Sequence, residues 1–127
     1  MDANSVLWTL QVLLALALLA VGYAHGISFD QTRTRPGFAW LDAVGKERMR
    51  IIALLELLAA AGVILPGLTG VLPWLTPTAA GCVVVLMVIA VSFHVRRPGE
   101  GRNTATNLVL ALLAASVAYG RFVIAPF

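Results

Sequence analysis

Four stretches of this chain, about 5–25, 46–65, 78–95 and 104–124, have interiors almost free of formal charge. An α-helix rises about 1.5 Å per residue, so each run is long enough to cross a hydrocarbon core of about 30 Å. The sequence is therefore read as an all-α membrane protein, a four-transmembrane-helix bundle. Composition agrees: 60% of the residues are hydrophobic and only 12% are charged, and the mean hydropathy is +0.91. An ordinary soluble domain carries about 25% charged residues. In a chain of 127 residues the spans leave little for a soluble catalytic unit, and 1–127 is expected to be one integral membrane domain.

A net charge of +3 raises the question of nucleic acid, but the basic residues cluster beside the spans, where they act as topology signals. No nucleic-acid partner is expected. Five of them (Arg33, Arg35, Lys46, Arg48, Arg50) lie around the connection between spans one and two. Three (Arg96, Arg97, Arg102) lie between spans three and four, and Arg121 alone falls on the other side. Lys and Arg accumulate in short cytoplasmic loops, so both termini are predicted outside, in a multi-pass protein of the cell membrane, the bacterial inner membrane. The first span is expected to be retained. Met1 to Ser5 holds Asp2 and no basic residue, and the stretch Gly22 to Gly26 makes a poor cleavage site.

The connection 26–45 is polar but contains Phe38, Trp40, Leu41 and Val44. Pro36 is placed to open a short interfacial helix there, with an ordered loop as the alternative. Pro66-Gly67 is expected to stop the second span, and Asn103 to cap the fourth. Trp8, Trp40 and Trp74 read as interface anchors. Cys82, the single cysteine, excludes an internal disulfide and a CxxC pair, and reads as packing or lipid contact.

Projected at about 100° per residue, the rare polar residues of each span share a face with small ones. On span one these are Gln11, Ala15, Leu18, Gly22 and His25, and on span two Ile52, Glu56, Ala59, Ala60 and Val63. Span three aligns Ala80, Val83, Met87, Ala90 and His94, and span four aligns Asn107, Ala111, Ala114, Ala118 and Arg121. Polar groups avoid lipid by facing protein, so these faces define a polar seam. By depth, Glu56, His94, His25 and Asn107 converge toward the basic-loop end. Gln11, Tyr119 and Arg121 form a secondary polar group at the other end. The main cluster either holds the bundle together or handles a ligand and its protons; a metal is not expected, because the histidines and Glu56 come from separate helices with no i, i+4 ligand pair.

The segment Arg50 to Ala80, then Phe93-His94-Val95-Arg96-Arg97, then Asn107 to Phe122, resembles the DoxX-like family of small four-helix membrane proteins over essentially the whole chain. The glutamate in span two, the Pro-Gly after it, the aromatic-His-basic exit of span three and the Ala-Tyr-Gly-Arg-Phe ending carry the likeness. Many relatives have a lysine near the end of span one where this chain has His25, so a role of that lysine does not transfer. The resemblance implies links of three kinds: thiosulfate:quinone oxidoreductase, membrane assemblies with secreted redox enzymes, and receptor assembly in distant animal relatives. Two expectations follow. One is a redox-associated membrane subunit, linked to quinone or sulfur metabolism, with quinone as the ligand held in the seam and a membrane or redox protein as partner. The other is a non-catalytic assembly factor for a membrane client, with a homo-oligomer open to either. Lacking a dithiol, a haem-attachment motif or a nucleotide fingerprint, the chain is not expected to be a self-sufficient enzyme.

Overall fold

The computed structural model describes residues 1–127. Helix α1 (Ala3–Gly22) begins at Asp2, whose Oδ1 accepts the Ser5 N–H at 2.7 Å, and it runs on into a π-helical turn over Tyr23–Ile27. The connection folds into two short helices, α2 (Phe29–Thr32) and α3 (Trp40–Val44). Helices α4 (Lys46–Thr69) and α5 (Leu75–Val95) follow, and α6 (Gly101–Tyr119) ends in a second π-helical turn, Gly120–Ile124. Counting the π turns, the four long helices have 25, 24, 21 and 24 residues, all long and apolar enough to span. This is a multi-pass membrane protein.

The short connections after α4 and α5, and the folded connection after α1, make consecutive long helices antiparallel neighbours. Helix α1 packs on α4, α4 on α5 and α5 on α6, and α6 closes the ring on α1. Leu14, Leu18, Val63, Ala80, Val83, Ala114 and Val117 form the bundle core, while Leu13, Leu16, Ile51, Leu54, Val85, Val88, Val109 and Leu112 are exposed to what would be lipid. The faces expected from angular projection are the faces that turn inward. Gln11, Leu18, Glu56, Val63, Ala80, His94, Ala114 and Arg121 are all buried, with Ala59, Ala90, Asn107 and Ala118 half-buried beside them.

The boundaries differ in instructive ways. Pro66-Gly67 does not stop α4, which continues to Thr69. Proline removes the N–H that would bond the carbonyl four residues back, here Gly62, and the Thr76 hydroxyl donates to that carbonyl instead at 3.3 Å. The next carbonyl, Val63, accepts the Gln11 side-chain amide at 2.6 Å. With both satisfied from neighbouring helices, the helix carries its buried proline without interruption. It ends at Gly70, whose φ of +71° suits glycine. Pro36 opens no helix; it lies in the turn between α2 and α3. Asn103 is not the cap of α6, which starts at Gly101. Its side-chain amide donates to the Gly37 carbonyl at 3.2 Å and ties α6 to the connection.

The connection is held as a lid over one end of the bundle. Phe29, Trp40, Leu41 and Met49 make a second apolar cluster beneath it. Lys46 pairs with Asp30 at 3.0 Å and Arg33 with Asp42 at 3.4 Å on its outer side. The Lys46 hydrogen bond and charge hold the Asp30 carboxyl below its ordinary range.

Candidate functional site

Helices α1 and α5 run in the same direction, so their terminal histidines arrive at the same end of the bundle, under the lid. His25 sits on the π turn, which lies so close to α4 that a Cβ on Gly26 would stand 2.6 Å from that of Ala53. Only glycine permits this approach. It brings His25 Nδ1 to 3.4 Å from Glu56 Oε1, with the two side chains 13% and 3% exposed. The other carboxyl oxygen, Oε2, is buried and has no hydrogen-bond partner.

Trp40, expected from the sequence to anchor at the interface, is instead buried, 8% exposed. Helix α3 drives its indole between the two histidines, with ring centroids 5.1 Å from His25 and 4.7 Å from His94 and nearly perpendicular planes, 82° and 88°. The indole Nε1 is buried without an acceptor. Beyond it, His94 Nδ1 lies 2.7 Å from Glu100 Oε1, and Arg97 Nε donates to Glu100 Oε2 at 2.6 Å. Burial opposes ionisation of Glu100, yet the hydrogen bonds and charges of Arg97 and His94 outweigh it and hold the carboxyl below its usual value.

His25, Trp40, Glu56 and His94 line a cavity of about 670 Å³, within the size range of small-molecule sites, with Arg97 and Glu100 outside its wall. Those four lining residues form its polar wall, and Ile52, Leu86, Met87, Phe93 and Leu110 its apolar wall. Pro36 to Phe38 contribute the lid, with Arg48 and Arg102 at the margins. The expected meeting of four residues is thus partial. His25 touches Glu56, and the indole separates that pair from His94. Asn107 lines the same cavity without a hydrogen bond to any of the three.

The opposite end carries its own buried cluster. Arg121, on the second π turn and 2% exposed, donates through Nε to Gln11 Oε1 at 2.6 Å. Its Nη1 donates to Asn4 Oδ1 at 2.7 Å and to the Ala125 carbonyl at 3.0 Å. The guanidinium also lies 3.9 Å from the Phe127 ring centroid and 5.5 Å from that of Trp8. Tyr119 does not join this group: two positions from Arg121, about 200° around the helix, it points outward and is 61% exposed. Asn4 takes its place. Cys82 is exposed on the apolar surface.

Three contributors escaped the sequence reading. Glu100 sits in a turn, outside any helical face, although its i, i+3 relation to Arg97 was a signal. Trp40 needed the fold of the connection, and Asn4 lies before the span proper.

The fold and its two polar clusters define a small four-helix, multi-pass membrane protein with a lidded cavity at one end. A family model described as the DoxX-like family matches residues 9–117, most of the chain, and the protein belongs to that family. Comparisons with curated proteins and with solved structures found no match.

Proposed function

We propose that this protein is the ligand-holding membrane subunit of a redox assembly, with a quinone headgroup or a chemically similar ligand in the cavity beneath the lid. One observation carries the reading: the cavity wall holds an unsatisfied acceptor, Glu56 Oε2, and an unsatisfied donor, Trp40 Nε1. A buried unpaired polar group costs about 1–3 kcal/mol. A quinol removes both costs, with one hydroxyl donating to the Glu56 carboxyl oxygen and the oxygen of the other accepting from the indole N–H.

Quinone and quinol interconvert carbonyl and hydroxyl by taking up or releasing two electrons and two protons. On this reading Glu56 with His25, and His94 with Glu100, exchange the protons, Asn107 helps orient the headgroup, and a partner protein supplies the electrons. The chain is then a subunit and not a complete enzyme. Its 127 residues form one membrane domain of the bacterial cell membrane. The basic residues around 33–50 and 96–102 support a cytoplasmic lid and outward termini.

Titration of the purified protein with a short-chain benzoquinone in its oxidised and quinol forms tests the proposal. Saturable binding that Glu56→Gln weakens is expected. Absence of saturable binding of either form, to wild type and variant alike, overturns it.

A second reading, an assembly factor for a membrane client or a homo-oligomer, draws on a different place. A shallow depression of about 340 Å³ between α4 and α5 is lined by Leu55, Leu58, Ala59, Gly62, Ala79 and Cys82, and small residues of this kind admit a neighbouring helix. Recovery of one stable membrane client without a bound small molecule favours this reading over the first.

A further inference from the structure

The charges around the cavity are unevenly paired. Lys46, Arg33, Arg50 and Arg97 each have a carboxylate partner, and Arg121 is enclosed at the other end. Arg35, Arg48, Arg96 and Arg102 have none, and of these Arg48 and Arg102 line the cavity. Neither Asp nor Glu stands free to neutralise them, since Asp30, Asp42, Glu47 and Glu100 are taken by other cations, Glu56 faces His25, and Asp2 caps α1. Arg102 belongs to the first turn of α6, a helix that has no side-chain cap. Its leading N–H groups and positive dipole end add to the same field.

One further feature specifies what such a field would hold. Ile89 lines the cavity yet is 62% exposed on the lipid-facing side of α5, so the cavity opens toward the bilayer as well as toward the lid. On α4, Arg48 and Ile52 stand on one face in successive turns. A molecule with its charge at Arg48 therefore has an apolar path past Ile52 and Ile89 into lipid.

We infer that the cavity mouth is a binding site for a single-chain anionic amphiphile, a phosphate or carboxylate head on an acyl or alkyl tail. The head bonds to the Arg48 and Arg102 guanidiniums at the uncapped end of α6, and the tail lies along Ile52 and Ile89 and leaves through the side of the bundle. This concerns the mouth of the cavity and does not require the quinone reading.

The probes are decyl phosphate, decanoate and uncharged decanol, titrated against the full chain in a non-ionic detergent. Both anions are expected to bind saturably, with decanol weaker by about tenfold or more, since charge-assisted bonds are roughly twice as strong as neutral ones. The Arg48→Gln/Arg102→Gln double variant is expected to lose about tenfold in anion affinity, the value of one or two such bonds. Arg35→Gln, which alters an exposed arginine outside the cavity, is expected to lose nothing. Preference for decyl phosphate would identify a lipid phosphate as the natural head, and preference for decanoate a free acyl acid; both uphold the inference. Equal binding of decanol and the anions, or unchanged affinity in the double variant, overturns it. If the double variant does not fold, each single variant is read in its place, with a several-fold loss expected from both. A benzoquinone titration on the same preparation separates the proposals: quinone binding without anion binding removes only this one, and the converse removes only the other.

Discussion

His25 and Glu56 face each other across α1 and α4 at 3.4 Å through a single carboxyl oxygen, leaving the second oxygen of Glu56 buried and unmatched. A carboxyl group inside a membrane bundle is costly, and this one is half-satisfied. The neighbouring Trp40 N–H is unmatched as well. An unpaired acceptor and an unpaired donor in one cavity wall distinguish this end of the bundle from the other, where the Arg121 guanidinium is bonded on several sides.

That contrast gives the first prediction. Arg121→Leu leaves Gln11 Oε1 and Asn4 Oδ1 without their donor and is expected to destabilise the protein by about 1–3 kcal/mol. Adding Gln11→Leu should cost less than the sum of the two single changes, because both remove the same bond. Thermal unfolding in detergent of the two single variants and the double variant checks this.

The treatment of Pro66 gives a second. Thr76→Val removes the hydroxyl that satisfies the Gly62 carbonyl, at an expected cost of about 0.5–2 kcal/mol. Pro66→Ala restores a backbone N–H to that carbonyl, so Thr76→Val should be cheaper in the Pro66→Ala background. Equal costs in both backgrounds would show that Thr76 does not compensate for the proline.

A third concerns acid. Glu100 has a lowered pKa in the folded protein through its bonds to Arg97 and His94. A depressed carboxyl pKa stabilises the fold above the ordinary value, 4.5 for this group, and the contribution fades as pH falls through the folded value. The unfolding midpoint of the wild type should therefore drop on acidification below about pH 4.5 more steeply than that of Glu100→Gln. Parallel curves would contradict the pairing.

Much of this was legible before the fold was known, and the reason is angular. Gln11, Glu56, His94 and Arg121 lie within long helices, where a fixed rotation per residue determines which face they share with small neighbours. Tyr119 stands apart because nearness to Arg121 in sequence is not nearness in angle. Trp40 and Glu100 lie in a connection and a turn that have no such period, so their contacts depend on how the lid folds. The continuation of α4 past Pro66 was hidden for a related reason: the compensating hydroxyl of Thr76 comes from the next helix.

A fourth prediction isolates the indole donor. Trp40→Phe keeps an aromatic ring between His25 and His94 but removes the N–H, which has no acceptor in the protein. Removing an unsatisfied buried donor is expected to leave stability within about 1 kcal/mol of the wild type while weakening ligand binding. A large loss of stability, read by thermal unfolding, would mean that the N–H is satisfied within the fold.

On the proposed function, the unpaired Glu56 Oε2 and Trp40 Nε1 belong to a small-molecule site. Mass spectrometry of small molecules that copurify with the protein from native membranes tests it most directly. One species is expected near equimolar amounts in the wild type and strongly depleted in Glu56→Gln/Trp40→Phe. Recovery of no enriched molecule, or the same molecule in the same amount from both proteins, would contradict the account.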